Sequence, residues 1–298
     1  MSARAAAVAT AALVGLCIPA LTAPRASTAP APSHAATVVV AHRGASAEAP
    51  ENTLAAVDRA AALGAEWVEN DVQRTRDGVL VVLHDTDLRR TTNAEEVYPG
   101  RSPWRVKDFT AAEIGRLDAG AWKGPGWAGT RIPTLDAYLD RVEANRQSLL
   151  LEIKSPALYP GVEGDILKLL GRKGWLDTGH VAHRLIVQSF DAGSVRAVHK
   201  ARPDIKTGLL GSPPADKIAD YASFADQVNP DVGTLSASYV SAVHAVKGAH
   251  GRPLEVFTWA VDDARTARRV AGYGVDGIIT DRPDVVDRAL GKQPAPTA

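Results

Sequence analysis

The chain has 298 residues, and its 34 lysines and arginines balance its 34 aspartates and glutamates at a formal charge of zero. Hydrophobic residues make up 45% of it and charged residues 23%, which is ordinary for a globular protein and excludes a disordered or collagen-like chain. Neutrality also argues against a nucleic-acid-binding protein, because the neutralisation of phosphates requires a clustered basic surface.

Residues 1–35 have the composition of a secretory signal peptide. Arg4 precedes an apolar run over residues 5–21, the segment contains no acidic residue, and small side chains precede a cleavage site at Ala35. We expect cleavage there, giving a secreted protein without stable membrane insertion. A single membrane anchor is the alternative, although the run is shorter than the roughly 20 residues that span a bilayer. A lipoprotein signal at Cys17 is the weakest interpretation.

Cleavage would change the chemistry available to the mature chain. Removing 35 of 298 residues leaves 263, with 32 basic and 34 acidic residues and a formal charge of −2. The single cysteine, Cys17, and the single methionine, Met1, are both removed. A thiol nucleophile, a cysteine zinc site and an iron–sulfur cluster are then excluded.

Short β-branched runs alternate with helical stretches along the rest of the chain. We predict eight strands, at residues 37–42, 67–72, 149–153, 185–188, 205–210, 227–228, 254–259 and 277–280. The predicted helices between them include residues 52–65, 134–146 and 264–273. Eight βα units on this scale favour an α/β fold of the TIM (β/α)8 barrel type. A doubly wound sheet is the alternative, but no glycine fingerprint follows the first strand.

The predicted barrel occupies residues 36–290, and residues 291–298 form a short C-terminal tail. Residues 87–133 interrupt the alternation of strands and helices and are rich in glycine, proline and tryptophan. We interpret them as a small insertion that follows the second-strand hairpin and lies over one end of the barrel.

Polar residues follow the apolar part of the first two strands, where barrel enzymes place their catalytic groups. The first strand ends in His42 and Arg43. Glu69 and Asp71 are two residues apart on the second strand, so both carboxylates face the same side. Two carboxylates on one inward face repel each other unless a cation lies between them.

The sequence Asp77-Gly78 after the second strand is typical of a hairpin turn, and this turn would bring a second histidine to the face that carries Glu69 and Asp71. If Asp77 and Gly78 form a two-residue hairpin loop, Arg76 pairs with Val79 and Asp71 pairs with His84. Cross-strand partners share a face at a distance of about 5 Å, so His84 is predicted beside the carboxylate pair.

The strand LLLEI adds Glu152, and Lys154 follows on the same face. A glutamate is almost never fully buried without a partner, so packing alone does not explain Glu152. With Glu69 and Asp71 it completes a ligand set for one hard divalent cation, Ca²⁺ or Mg²⁺.

The remaining polar residues of these strands fit phosphoester chemistry. His42 and His84 are candidates for general base and general acid. Arg43 and Lys154 supply cationic donors that suit phosphate oxygens.

These motifs resemble the glycerophosphodiester phosphodiesterase family, whose fold is the TIM barrel. The resemblance begins with AHRGASAEAPENTLAAVDRAAALGAEWVENDVQRTRDGVLVVLHDTDLRRTTN at residues 41–93. It continues through LLLEIKS, VQSFD, FTWAVDD and GVDGIITDRPD, in the same order and over most of the mature chain. The combination of His-Arg-Gly, Glu-Asn-Thr, Glu-x-Asp and His-Asp is specific, whereas each piece alone is weak.

The resemblance implies roles for individual residues. His42 and His84 correspond to the catalytic histidine pair, and Glu69, Asp71 and Glu152 to the metal ligands. Substrate contacts are implied for five further residues, namely Arg43, Lys154, Glu51, Trp259 and Gln188.

The implied reaction is hydrolysis of a small-molecule glycerophosphodiester to an alcohol and glycerol 3-phosphate. A phosphodiesterase of the same barrel type that acts on lysophospholipids or phosphatidylinositol is the first alternative. A barrel that binds phosphate or sugar without catalysis is the second, and the presence of both histidines argues against it.

Overall fold

The computed structural model describes residues 1–3, 5–7 and 37–292. The chain divides into a short unit, Met1–Ser33, and a compact unit, His34–Ala298. The predicted signal peptide and cleavage site lie almost wholly outside the described residues, as does most of the predicted tail. Among the helices in the described part of the chain, none combines the length and apolar character needed to cross a bilayer.

A closed parallel barrel forms the body of the compact unit. The strands of the described residues are β1 (Val38–Ala41), β2 (Trp67–Arg74), β3 (Leu80–Val82), β4 (Ser148–Ile153), β5 (Leu185–Ser189), β6 (Lys206–Leu210), β7 (Gln227–Asn229), β8 (Glu255–Thr258) and β9 (Gly277–Thr280). All except β3 pair in parallel, and β1 pairs with both β2 and β9, which closes the ring. The predicted TIM barrel is confirmed, and all eight predicted barrel strands are present.

The helices follow the strands and surround the barrel. They are α1 (Leu54–Ala62), α2 (Ala94–Val97), α3 (Ala111–Ile114), α4 (Leu135–Ala144), α5 (Val162–Arg172), α6 (Thr178–His183), α7 (Ala192–Ala201), α8 (Ala237–His244), α9 (Ala264–Ala271) and α10 (Pro283–Ala289). Several begin at a side chain that accepts a hydrogen bond from the first turn, including Thr53 before α1 and Thr134 before α4.

Alternation along each strand separates the barrel interior from the layer beneath the helices. On β4, Leu149 and Leu151 belong to the apolar core under the helices, whereas Leu150 packs inside the barrel. On β2, Trp67 shares this interior cluster, while Val68 faces the helix layer. By the same alternation, Glu69 and Asp71 on β2 and Glu152 on β4 also point into the barrel. They lie closer to the carboxyl ends of the strands than the apolar interior residues Trp67 and Leu150.

The segment between β3 and α4 has a small apolar core of its own. Leu88, Val106, Phe109, Ile114 and Leu117 are buried together within it. Because these side chains bury one another, residues 87–133 pack as a local unit that includes α2 and α3.

The hairpin between β2 and β3 differs by one residue from the predicted register. Val72 pairs with Val82 and Arg74 with Leu80, so the predicted pairing of Asp71 with His84 is wrong. The loop contains three residues rather than two, since the Thr75 amide donates to the carbonyl of Val79.

Two local features stabilise this longer loop. The Thr75 hydroxyl donates to Asp77 at 2.6 Å and accepts from the Val79 amide at 3.0 Å. Gly78 adopts a left-handed conformation with φ of +85°. Because β3 ends at Val82, His84 lies beyond the strand. Strand alternation, which in this register would place His84 on the face opposite Asp71, therefore does not determine where its side chain points.

Two glycines allow a test of how tightly the loop after β1 is packed. Gly44 and Gly78 have φ of +81° and +85°, but a Cβ at Gly44 would lie 2.6 Å from the Ala56 backbone, and one at Gly78 would meet nothing within 4 Å. Gly78→Ala is expected to cost about 1–2 kcal/mol of unfolding free energy from backbone conformation alone. Gly44→Ala should cost clearly more and reduce activity, because the loop must move. Urea unfolding of both variants checks this, and equal losses would contradict the packing argument.

Candidate active site

Three buried carboxylates form the centre of the site at the carboxyl ends of β2 and β4. Glu69, Asp71 and Glu152 are 2%, 1% and 5% exposed, and a ligand oxygen of each lies within 4.8 Å of the others. The parallel register places Asp71 directly beside Glu152, and alternation places Glu69 two residues before Asp71 on the same face. Among the described residues, this is the one such acidic cluster that suits a metal ion.

Burial and mutual repulsion separate the pKa values of these acids. Burial, reinforced by the charges of Asp71 and Glu152, raises the pKa of Glu69 well above its usual range. Burial and Asp71 also raise the pKa of Glu152, to about 8. Burial opposes ionisation of Asp71 as well, but the cations Arg43 and Lys154 lower the pKa of Asp71 to about 2. Asp71 therefore ionises readily, whereas Glu69 and Glu152 need more positive charge nearby in order to ionise.

The three side chains fit a hard divalent cation. Every donor is a carboxylate oxygen, the ligand type that Ca²⁺ and Mg²⁺ prefer. The Glu152 Oε1 atom is buried and forms an ion pair with the Lys154 Nζ atom at 2.9 Å. A buried glutamate with a carboxylate oxygen within 4.8 Å of two other buried carboxylates is the arrangement expected of a metal ligand.

Asn52 holds Asp71 from behind. Its Nδ2 donates to the Asp71 Oδ2 atom at 2.8 Å, and its Oδ1 accepts from the Asp71 amide at 3.2 Å. Asn52 is buried and has a φ of +58°, a conformation that asparagine tolerates better than most residues. The sequence interpretation did not single out Asn52, although it is the residue that follows Glu51.

Arg43 connects the triad to the first strand. Its backbone amide donates to Glu69 at 2.9 Å, and its Nη1 donates to Glu51 at 2.8 Å. Its Nε atom lies 3.3 Å from the Asp71 carboxylate, so the guanidinium also forms an ion pair with that acid. Burial lowers the pKa of Arg43, but the charges of Asp71, Glu51 and Glu69 outweigh it and raise that pKa.

Lys154 lies on the other side of the carboxylates. Its ammonium is 2.9 Å from Glu152 and 3.5 Å from Asp71, and it also faces the ring of Phe190 at 5.5 Å from the centroid. Burial would lower the pKa of Lys154, but the neighbouring acids raise it, so the ammonium stays charged. Arg43 and Lys154 therefore place two permanent cations next to the acidic cluster.

Both histidines are oriented by a carboxylate at the same ring nitrogen. The His42 Nδ1 atom lies 2.7 Å from Asp281 Oδ1, which also accepts from Ser46. The His84 Nδ1 atom lies 2.7 Å from Asp85 Oδ1. A carboxylate at Nδ1 favours the Nδ1–H tautomer and leaves Nε2 available to accept or donate a proton. Burial, with the charges of Arg43 and Lys154, lowers the pKa of His84 despite the opposing charge of Asp71.

A cavity of about 370 Å³ opens at this end of the barrel. It is lined by eight of the ten predicted site residues, namely His42, Arg43, Glu69, His84, Glu152, Lys154, Gln188 and Trp259. The other two, Asp71 and Glu51, support the lining residues from behind.

The aromatic side of the cavity contains a residue that sequence interpretation missed. Phe190 is 51% exposed and meets Trp259 edge to face, with ring centroids 5.7 Å apart. The Trp259 Nε1 atom donates to the main-chain carbonyl of Asn229, and the Asn229 Nδ2 atom donates to Gln188 Oε1. The position of Phe190 in the VQSFD motif, two residues after Gln188, is a signal that would have identified it.

A model of the glycerophosphoryl diester phosphodiesterase family matches residues 42–285. The chain belongs to this family. It is 38% identical over 258 residues to a glycerophosphodiester phosphodiesterase of Caldanaerobacter subterraneus subsp. tengcongensis, a match that covers 86% of this chain and 98% of the relative. It is 33% identical over 262 residues to one of Bacillus subtilis, over 83% of this chain and 84% of the relative.

Solved structures agree with this family assignment. A phosphodiesterase of Oleispira antarctica, solved in complex with the product sn-glycerol-3-phosphate, superposes with a TM-score of 0.73. It is 27% identical, and the match covers 86% of this chain and 97% of that chain. The predicted family, enzyme class and barrel are therefore confirmed for this member of the glycerophosphoryl diester phosphodiesterase family.

The raised pKa values predict how metal-free protein responds to pH. An acid with a higher pKa in the folded state stabilises the fold fully below its unfolded pKa, and this stabilisation is lost as pH rises through the folded value. For Glu152 that window extends from about 4.3, the unfolded pKa, to about 8, and Glu69 acts in the same direction. Chelated protein should therefore show a melting temperature that falls between pH 5 and 8.

Calorimetry of three samples checks this expectation. Glu152→Gln should have a shallower pH slope than the unaltered chain, and so should the unaltered chain with Mg²⁺ or Ca²⁺ present. Identical slopes in all three samples would show that the triad does not control this titration.

Proposed function

We propose that this enzyme hydrolyses glycerophosphodiesters to an alcohol and glycerol 3-phosphate, with a divalent cation held by Glu69, Asp71 and Glu152. The observation that carries the proposal is that two histidines, each held by a carboxylate, line one cavity with Glu69 and Glu152. The names of the relatives and the product bound to the Oleispira antarctica enzyme support the substrate class.

Glu69, Asp71 and Glu152 would hold the divalent cation, which would supply Lewis-acid stabilisation of negative charge on the phosphate. Arg43 and Lys154 bind the same phosphate through charge-assisted hydrogen bonds. One histidine accepts the proton of the attacking hydroxyl, which belongs to water or to the substrate's glycerol. Attack by the glycerol hydroxyl gives a cyclic phosphate, which a water molecule then opens to glycerol 3-phosphate. As the bond from phosphorus to the leaving oxygen breaks, the other histidine donates a proton to that oxygen.

Residues 1–35 support a proposal about location. We propose that the enzyme acts outside the cytoplasm after cleavage near Ala35. Mass spectrometry of the mature N-terminus tests this, and an intact Met1 on exported protein would refute cleavage.

Turnover by metal-stripped protein tests the proposed function directly. Chelated enzyme is expected to be inactive on a panel of glycerophosphodiesters, and Mg²⁺ or Ca²⁺ should restore formation of glycerol 3-phosphate. Lysophospholipids in the same panel test the lipid-directed alternative, which predicts faster turnover of those lipids than of the soluble diesters. Full activity in chelated protein would refute the metal assignment.

Replacement of the histidines tests the acid–base assignment. His42→Ala and His84→Ala should each lower kcat by about 10²–10⁴-fold, the usual contribution of a positioned acid or base. With a p-nitrophenolate leaving group, loss of the general acid should matter much less than loss of the base, which assigns the two roles. Folded variants with kcat near that of the unaltered chain would instead favour a barrel that binds without catalysis.

A further inference from the structure

Arg90 joins two carboxylates that both support the active site. Its Nε and Nη2 atoms donate to the two oxygens of Asp85 at 2.6 and 3.0 Å. Its Nη1 and Nη2 atoms donate to the two oxygens of Glu51 at 2.8 and 2.7 Å. The planar guanidinium of arginine matches a carboxylate with two parallel hydrogen bonds, and here it does so on two edges at once.

Each of these carboxylates also holds a residue of the cavity. Asp85 Oδ1 lies 2.7 Å from the Nδ1 atom of His84, and Glu51 Oε1 accepts from the Nη1 atom of Arg43. A continuous chain of ion pairs and hydrogen bonds therefore runs from His84 through Arg90 to Arg43. It links a candidate proton-transfer group to a candidate phosphate-binding group.

The charges explain why a cation is needed between the two acids. Asp85 and Glu51 approach the same guanidinium, and without it they would repel each other and move apart. Burial opposes their ionisation, but hydrogen bonds from Arg90, together with Arg43 at Glu51 and His84 at Asp85, outweigh it and lower both pKa values, that of Asp85 to about 2. Both acids are thus fully charged acceptors whose separation is set by one rigid donor.

The neighbouring arginine provides an internal comparison. Arg89 makes a similar two-point contact with Asp87, at 3.0 Å for both bonds. In the described residues, Asp87 orients no group of the cavity. Arg89 and Arg90 have similar side-chain exposure, 50% and 44%. They differ in the carboxylates that they contact, one for Arg89 and two for Arg90, and in what those carboxylates hold.

We propose that Arg90 is a positioning residue that fixes His84 and Arg43 relative to each other through Asp85 and Glu51. Arg90 lies in the segment 87–133, so this segment takes part in assembling the active site. The proposal rests on the proposed function, because it assigns His84 and Arg43 to catalysis and phosphate binding.

Turnover of a glycerophosphodiester by metal-loaded Arg90→Ala, Arg90→Lys and Arg89→Ala variants tests the proposal. Arg90→Ala should lower kcat by about 10–100-fold, the usual cost of losing a partner that orients a site residue. Arg90→Lys should recover little, since an ammonium cannot make both two-point contacts. Arg89→Ala should stay within about twofold of the unaltered enzyme, since a surface ion pair contributes at most about 1 kcal/mol.

Chemical rescue and a double-mutant cycle separate positioning from general stability. Added guanidinium at low millimolar concentration should restore part of the activity of Arg90→Ala, because the site is open to solvent. In an Asp85→Asn background, Arg90→Ala should cost much less than in the unaltered chain, because both changes break the same link. Additive losses without rescue would overturn the proposal.

Titration of inorganic phosphate into the metal-loaded proteins gives a readout without turnover. In Arg90→Ala, Glu51 loses its partner and holds Arg43 less firmly, so phosphate binding should weaken severalfold. In Arg89→Ala, phosphate binding should be unchanged. Equal phosphate affinity in both variants would refute the link to Arg43. Unaltered protein that hydrolyses no glycerophosphodiester, but whose phosphate binding depends on Arg90, would refute the proposed function alone.

Discussion

Mutual repulsion among three buried carboxylates is the constraint on which the site depends. Glu69, Asp71 and Glu152 are almost fully buried, so uncompensated ionisation of all three is costly. Arg43 and Lys154 supply enough charge to ionise Asp71 but leave Glu69 and Glu152 with raised pKa values. The positive charge still missing is what the proposed divalent cation would supply.

The barrel and the composition of this triad were predictable from local periodicity. Alternation alone places Glu69 and Asp71 on one face, and the same rule places Glu152 with Lys154. The carboxyl ends of parallel strands meet at one rim, so residues far apart in sequence converge there. The direct neighbour relation of Asp71 and Glu152 was not predictable, because it depends on the register of β2 against β4.

Other parts of the site depend on contacts that no local pattern reports. The hairpin loop has three residues and not the predicted two, and the Thr75 hydroxyl stabilises it by accepting a hydrogen bond from the Val79 amide. Asp281 reaches His42 from 239 positions away, and only the pairing of β1 with β9 makes them neighbours. Asn52 and Arg90 both lie within residues 41–93, the segment that resembles the family. Their roles depend on hydrogen bonds to the side chains of other residues, and sequence spacing does not reveal such contacts.

The two histidines are oriented by different features of the fold. His42 obtains its carboxylate from Asp281 across the closure of the barrel, where the His42 amide also donates to the carbonyl of Thr280. Its orientation therefore requires that the first and last strands be paired. His84 instead takes Asp85, the next residue in the chain, whose other contacts lead into the segment 87–133. Two independent supports allow the environments of the two histidines to differ, which is what the proposed pair of general acid and general base would require.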